Sequence, residues 1–168
     1  VDFDPGAGVT HLSAVGERDV FIAQLDPQGS LLWARAIGGA QSEYVRAMTQ
    51  DAAGSLYLAG SFAGQVDFDP GPSARTLGAA GESDLFLVKL TGAGELIWAK
   101  ALGGASHEQA TAIAVDAAGD VYLGGFFTGT LDFDSSAEIA HVTATGALDG
   151  FIARFSAVGD LVWAKALA

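Results

Sequence analysis

The stretch VDFDPG at residues 1–6 returns letter for letter at residues 66–71, and LDFDSS holds the same place at residues 131–136. The copies begin 65 residues apart, and the rest of the chain keeps this spacing without a gap. A fixed period of this size indicates a repeat protein, in which each repeat packs against its neighbours. Other positions that repeat are Asp19, Asp84 and Asp149; Phe21, Phe86 and Phe151; and Trp33, Trp98 and Trp163.

The composition limits the classes of function. The chain has 168 residues, of which 50% are hydrophobic and 23 are glycine, and this suits many short strands and turns. It has no cysteine, which excludes a disulfide framework or a thiolate metal site. The net charge of −12, with only 8 Lys plus Arg, argues against binding to nucleic acid or an anionic membrane. No apolar run is long enough for membrane insertion.

Each period contains two predicted β-hairpins. EYVRAMTQ and SLYLAGSF are joined by DAAG, and DLFLVKL and ELIWAKAL are joined by TGAG. Short loops with glycine near their end close hairpins, because glycine adopts the positive φ that the turn requires. DLFLVKL is apolar on both faces, so we expect other parts of the protein to cover both sides of it. Four-stranded antiparallel units covered on both sides are the blades of a β-propeller, which makes the predicted fold class all-β.

The hairpins AIAVDAAGDVYLGG and DLFLVKLTGAGELIWAKAL, followed by Gly-Gly, resemble the secreted bacterial β-propeller repeats of the SBBP type. The first hairpin is also similar to that of NHL repeats, and the resemblance covers essentially the whole chain. It implies inner strands a and b and outer strands c and d in each blade, with a long insert between b and c. It also implies an extracellular or cell-surface bacterial protein, whereas the fold alone indicates no ligand.

On this map the chain contains about two and a half blades. Residues 1–39 hold an insert and strands c and d of a partial blade, residues 40–104 form a full blade, and residues 105–168 form another. Two and a half blades cannot close a ring, so we expect this sequence to be a slice of a larger ring, with flanking blades of the same protein as partners.

The DFD motif lies in the long insert, at the loop-rich end of the blades. In an extended segment the phenylalanine points to one side, as an anchor into the blade interface, and the two aspartates point to the other. Paired carboxylates before a Pro-Gly bend are possible calcium ligands. The alternative is an acidic turn, in which one aspartate accepts backbone amides and the other faces water. The candidate metal ligands are Asp2, Asp4, Asp67, Asp69, Asp132 and Asp134.

Other repeated side chains have structural explanations. Asp19, Asp84 and Asp149 each follow a glycine turn and are expected to cap it. Glu43 and Glu108 open strand a and are expected to be solvated loop acids, which could also add to a ligand site. The tryptophans are expected to pack within or between blades, with Trp98 largely buried; a sugar-binding platform is the alternative.

The sequence lacks a G-x-S-x-G elbow, a P-loop and an H-E-x-x-H motif. We therefore expect a non-enzymatic scaffold that binds a protein or glycan ligand on its loop-rich face. Apart from calcium at the DFD motif, the sequence indicates no cofactor. The alternative is part of a propeller hydrolase or lyase whose active site lies mostly outside this segment. An active site would break the repeat at one blade, and the clearest break in the sequence is DSSAEIAH at residues 134–141.

Overall fold

The computed structural model describes residues 1–134 and 140–167, and these residues form β-strands and connecting loops. Within them there is no helix of the length and hydrophobicity that crossing a membrane requires. The strands are β1 (Val20–Leu25), β2 (Leu31–Gly39), β3 (Glu43–Gln50), β4 (Leu56–Phe62), β5 (Gln65–Asp67), β6 (Thr76–Gly78), β7 (Asp84–Leu90), β8 (Leu96–Leu102), β9 (Glu108–Val115), β10 (Val121–Phe127), β11 (Thr130–Asp132), β12 (His141–Thr143), β13 (Asp149–Phe155) and β14 (Leu161–Leu167).

The strands assemble into propeller-type blades. Two four-stranded antiparallel sheets have the orders β3-β4-β7-β8 and β9-β10-β13-β14, which are strands a, b, c and d of two full blades. Strands β1 and β2 pair as c and d of a partial blade, and β1 is the edge strand of its sheet. The predicted all-β fold with four-stranded blades is confirmed.

The tight turns form where the glycine pattern places them. Gly54 and Gly119 close the two a-to-b hairpins with φ values of 88° and 87°, a region that side chains with a Cβ rarely adopt. In the first of these turns, Asp51 Oδ1 accepts hydrogen bonds from the backbone amides of Ala53 at 3.0 Å and Ser55 at 2.8 Å. The aspartate therefore satisfies amides that the turn leaves outside the strand pairing.

The long inserts form hairpins of their own, β5-β6 and β11-β12. Each hairpin also reaches the outermost strand of the preceding blade. Strand β5 pairs with the end of β2, where Val66 lies opposite Gly39, and a bridge joins Asp132 to Gly103 just beyond β8. The insert of one blade thus pairs with the end of strand d of the blade before it.

The hydrophobic core lies between the blades. Phe86 and Leu87, neighbours on β7 that face opposite sides, are 1% and 0% exposed, because β7 has a blade on each side. The period-related pair on β1 differs: Ile22 is 6% exposed and Phe21 is 62% exposed. At the other end of the array, Ile152 is 37% exposed, although it corresponds to Leu87. The two ends therefore present surfaces that are buried at the interior blade.

Candidate functional site

The phenylalanine of the DFD motif is a structural anchor, as predicted. Phe68 and Phe133 are both fully buried. The Phe68 ring packs 5.2 Å from that of Phe62 on strand b and 5.3 Å from that of Phe86 on strand c, measured between ring centres. In the first insert, Phe3 packs 4.6 Å from Phe21. The motif thus fixes the insert to the blade that carries it.

The first aspartate of each motif closes the insert hairpin. Asp67 Oδ1 accepts hydrogen bonds from the backbone amides of Asp69 at 3.0 Å and Arg75 at 2.8 Å. Asp2 and Asp132 accept from the amides at the same two offsets. These amide hydrogen bonds hold the pKa of the Asp2 carboxyl below its usual value. This is the hydrogen bonding that the acidic-turn interpretation describes.

The second aspartate also accepts a backbone amide, from the bend that follows it, so in the first two copies the expectation that it simply faces water is wrong. Asp4 Oδ1 accepts from the Gly6 amide at 2.7 Å, and Asp69 Oδ1 accepts from the Gly71 amide at 2.8 Å. Asp134 is the second aspartate of the third copy. The bend that would follow it falls in residues 135–139, which lie outside the described part of the chain.

The predicted metal ligands remain in three separate inserts. Within residues 1–134 and 140–167, no group of three or more His, Cys, Asp or Glu side chains is arranged around a common metal position. Near the third pair, His141 Nε2 lies 3.8 Å from Asp132 Oδ2. Calcium takes six to eight oxygen ligands, so a single pair of carboxylates would need further oxygens from the turn backbone. Calcium binding at the DFD motif therefore stays a prediction.

The capping role of the aspartate that begins strand c is confirmed. Asp84 is 3% exposed, and its carboxylate accepts the backbone amides of Ala80 at 2.8 Å and Gly81 at 3.1 Å. Asp19 and Asp149 make the equivalent hydrogen bonds in their blades. Burial raises the pKa of the Asp84 carboxyl, and the two amides offset part of that rise.

The prediction that Glu43 and Glu108 are solvated is wrong. Glu43 is 3% exposed and Glu108 is 0% exposed, because the preceding blade covers the start of strand a. Among the described residues, neither carboxyl oxygen of Glu108 has a hydrogen-bond partner. Burial, with the nearby charge of Asp84 adding to it, raises the pKa of Glu108 to about 7. Burial likewise raises the pKa of Glu43 to about 7, although Oε2 accepts the Gly39 amide at 3.1 Å.

Two of the repeated tryptophans join consecutive blades. Trp98 Nε1 donates to the Ala157 carbonyl at 3.3 Å. Trp33 Nε1 donates to Gln24 Oε1 in its own blade at 2.6 Å and to the Gly92 carbonyl at 3.2 Å. Both carbonyls lie in the c-to-d turn of the next blade. Trp98 is partly exposed but mostly covered, and it packs against the core between the two full blades, in agreement with the prediction.

A cluster of arginine and tyrosine breaks the repeat, and the sequence patterns missed it. Arg18 Nη1 donates to Tyr44 Oη at 2.9 Å, and the guanidinium carbons of Arg18 and Arg46 lie 5.6 Å and 5.1 Å from the centre of the Tyr44 ring. One period later these positions are Ser83, Gln109 and Thr111. A comparison of repeats for unlike residues, rather than for matching ones, would have found the cluster.

Comparison with known proteins supports the repeat fold at low identity. No protein-family model matches the chain. It is 27% identical over 110 residues, 66% of the chain, to the regulatory protein FlaEY of Caulobacter vibrioides. It is 23% identical over 172 aligned residues, 94% of the chain, to the uncharacterized WD repeat-containing protein L264 of Acanthamoeba polyphaga mimivirus. The chain spans 12% of the length of each of these relatives.

Proposed function

We propose that this chain is a non-catalytic stretch of β-propeller that acts as a binding and display scaffold in a secreted or cell-surface bacterial protein. The fold, with its likeness to a WD-repeat protein and to a regulatory protein, supports a function in protein–protein interaction. The repeated polar side chains support a non-catalytic function, because the aspartates and tryptophans are engaged in turns and blade contacts. The resemblance to secreted bacterial repeats supports the location.

One observation carries the proposal that the scaffold binds other β-structure: the exposed ring of Phe21 at an open strand edge. In the full blades, the equivalent Phe86 and Phe151 lie directly across from Gly60 and Gly125 of strand b. A Cβ on Gly60 or Gly125 would lie 2.8 or 2.7 Å from the facing ring, and 1.8 or 2.1 Å from a backbone carbonyl oxygen of strand a, so only glycine fits between the two. In the described part of the chain no strand b pairs with β1, and Phe21 is 62% exposed.

The partner that fits this edge is an a–b hairpin like those of the full blades, supplied by a flanking blade of the same protein. It would continue the sheet of the partial blade and place a glycine over Phe21. Covering an unpaired edge in this way also protects the protein from edge-to-edge aggregation. Protein or glycan ligands would then bind at the loop-rich end of the completed blades, where loops project from a rigid framework.

The test is complementation of the 168-residue chain with a synthetic hairpin of residues 108–127, followed by calorimetry. We expect saturable one-to-one binding, and Phe21→Ala should weaken it by about tenfold or more, as for other central aromatic contacts. Val158→Ala, at an exposed turn of the last blade, is the matched control and should leave the affinity unchanged. Absence of binding, or equal binding by the Phe21 variant, would refute the proposal.

A further inference from the structure

The cluster of Arg18, Tyr44 and Arg46 occupies the start of strand a in the first full blade, next to the partial blade. Tyr44 and Arg46 belong to β3, and Arg18 precedes β1 and forms a bridge with Ser42 just before β3. Strand a begins at the end of the blade that carries the d-to-a link, so the cluster lies at the loop-rich end. Both arginines are exposed and Tyr44 is half-buried, which leaves the cluster accessible to a ligand.

The backbone supports a special use of this position. Arg46 is the extra residue of a β-bulge between Val45 and Ala47, and Thr111 occupies the same bulge in the next blade. A bulge redirects a side chain from the regular alternation of the strand, and bulges are frequent beside binding sites. The repeat thus keeps the backbone feature and changes the side chain, as expected for a framework that carries a blade-specific site.

The hydrogen bonds hold the two guanidinium groups in place without neutralising them. With the Gln109 amide oxygen turned towards β3, Arg46 donates to it from Nε at 2.8 Å and from Nη2 at 3.1 Å. Neither Arg18 nor Arg46 forms a salt bridge with a carboxylate within residues 1–134 and 140–167. The nearby acid Glu17 accepts a hydrogen bond from the Ser42 hydroxyl at 3.2 Å. Donor groups of both arginines therefore remain for a ligand.

We propose that Arg18, Tyr44 and Arg46 bind carboxylate groups of an acidic segment in a partner protein. Arginine presents parallel N–H donors that match the two oxygens of a carboxylate, and the stacked tyrosine restricts the motion of both side chains. Arginine clusters are a recurrent means of recognising acidic motifs. A nucleic acid is a less favourable ligand than an acidic peptide, because a chain of net charge −12 repels a long polyphosphate more strongly than it repels a short peptide.

This proposal rests on the scaffold function and names the chemistry of one partner. The test is fluorescence anisotropy of a labelled peptide that alternates glutamate with glycine, compared with a peptide that has glutamine in place of glutamate. The variant protein carries Arg18→Ser, Tyr44→Gln and Arg46→Thr, the residues that the next repeat has at these positions. Because the framework already accepts those residues, the variant should fold, and circular dichroism checks that it does.

We expect the wild-type chain to bind the glutamate peptide, and the triple variant to bind it about tenfold more weakly or worse. Arg46→Thr alone should weaken binding measurably, whereas Arg75→Ala, which removes one charge from an exposed insert, should not. Failure of the wild type to bind, equal binding by the triple variant, or equal binding of the glutamine peptide would each overturn the site. The hairpin complementation tests the scaffold function separately, because its diagnostic variant replaces Phe21 and leaves Arg18, Tyr44 and Arg46 unchanged.

Discussion

Replacing Glu108 with glutamine should stabilise the protein at neutral and alkaline pH while changing its stability little in acid. Glu108 is fully buried without a hydrogen-bond partner among the described residues, and its pKa is raised from 4.5 to about 7. Below pH 4.5 the side chain is neutral in both the folded and the unfolded protein. Between pH 4.5 and 7 the folded protein keeps a proton that the unfolded chain releases, so stability falls as the pH rises.

The magnitude follows from the pKa. A tenfold change in proton affinity corresponds to about 1.4 kcal/mol, so a rise of the pKa from 4.5 to about 7 corresponds to about 3 kcal/mol. Glutamine keeps the shape of the neutral acid and cannot ionise, so Glu108→Gln should recover about that free energy at pH 8. Glu43→Gln should behave alike, because the pKa of Glu43 is also raised to about 7.

Urea unfolding at pH 4.5, 6, 7 and 8 measures the effect, with Glu95→Gln at an exposed turn position as the control. The wild type should lose stability progressively towards pH 8, and Glu108→Gln should show a smaller loss. The control should follow the wild type at every pH. If Glu108→Gln is as unstable as the wild type at pH 8, or if it destabilises the protein equally at all four pH values, the burial argument is wrong.

Two further predictions concern the repeated motifs. Trp98→Phe should lower the free energy of unfolding by about 1 kcal/mol, because it removes the indole hydrogen bond to the next blade. Trp163→Phe in the last blade should lower the free energy of unfolding by less. Urea unfolding of both variants checks this. If the DFDPG bend binds calcium, calcium should raise the melting temperature, and Asp67→Asn with Asp69→Asn should remove most of that rise. The same exchange in the third insert, which lacks Pro-Gly, should then change it little. Unchanged melting, measured by scanning calorimetry with and without calcium, would leave the motif as an anchor and an acidic turn.

The local structure and the blade fold could be predicted from the sequence, because they depend on residues that are close in the chain. Glycines at fixed places, such as Gly54, specify turns through their backbone conformation, and runs such as DLFLVKL specify strands covered on both sides. The 65-residue spacing then gives the repeat. The alternation of side chains in an extended segment predicted Phe68 as an anchor, because it turns the phenylalanine away from the two aspartates beside it.

Most of the specific contacts between blades could not be predicted, because they join residues that are distant in the chain. Glu108 has the polarity of a surface residue, and its burial arises only when the preceding blade packs over strand a. The pairing of Val66 with Gly39 depends on a strand of three residues, which is too short for a hydrophobic pattern to indicate its partner. Arg18 of the partial blade donates to Tyr44 of the next blade across 26 residues of sequence, and the repeat pattern does not show this pair.

Amide hydrogen exchange of β1 tests most directly the claim that the chain is an open array of propeller blades. The amides of Val20–Leu25 that point away from β2 should exchange rapidly, whereas the period-related amides of β7 and β13, which pair with a strand b, should be protected. Adding the hairpin of residues 108–127 should protect those β1 amides selectively. Protection of the β1 amides equal to that of β7 and β13 before any hairpin is added would contradict the claim.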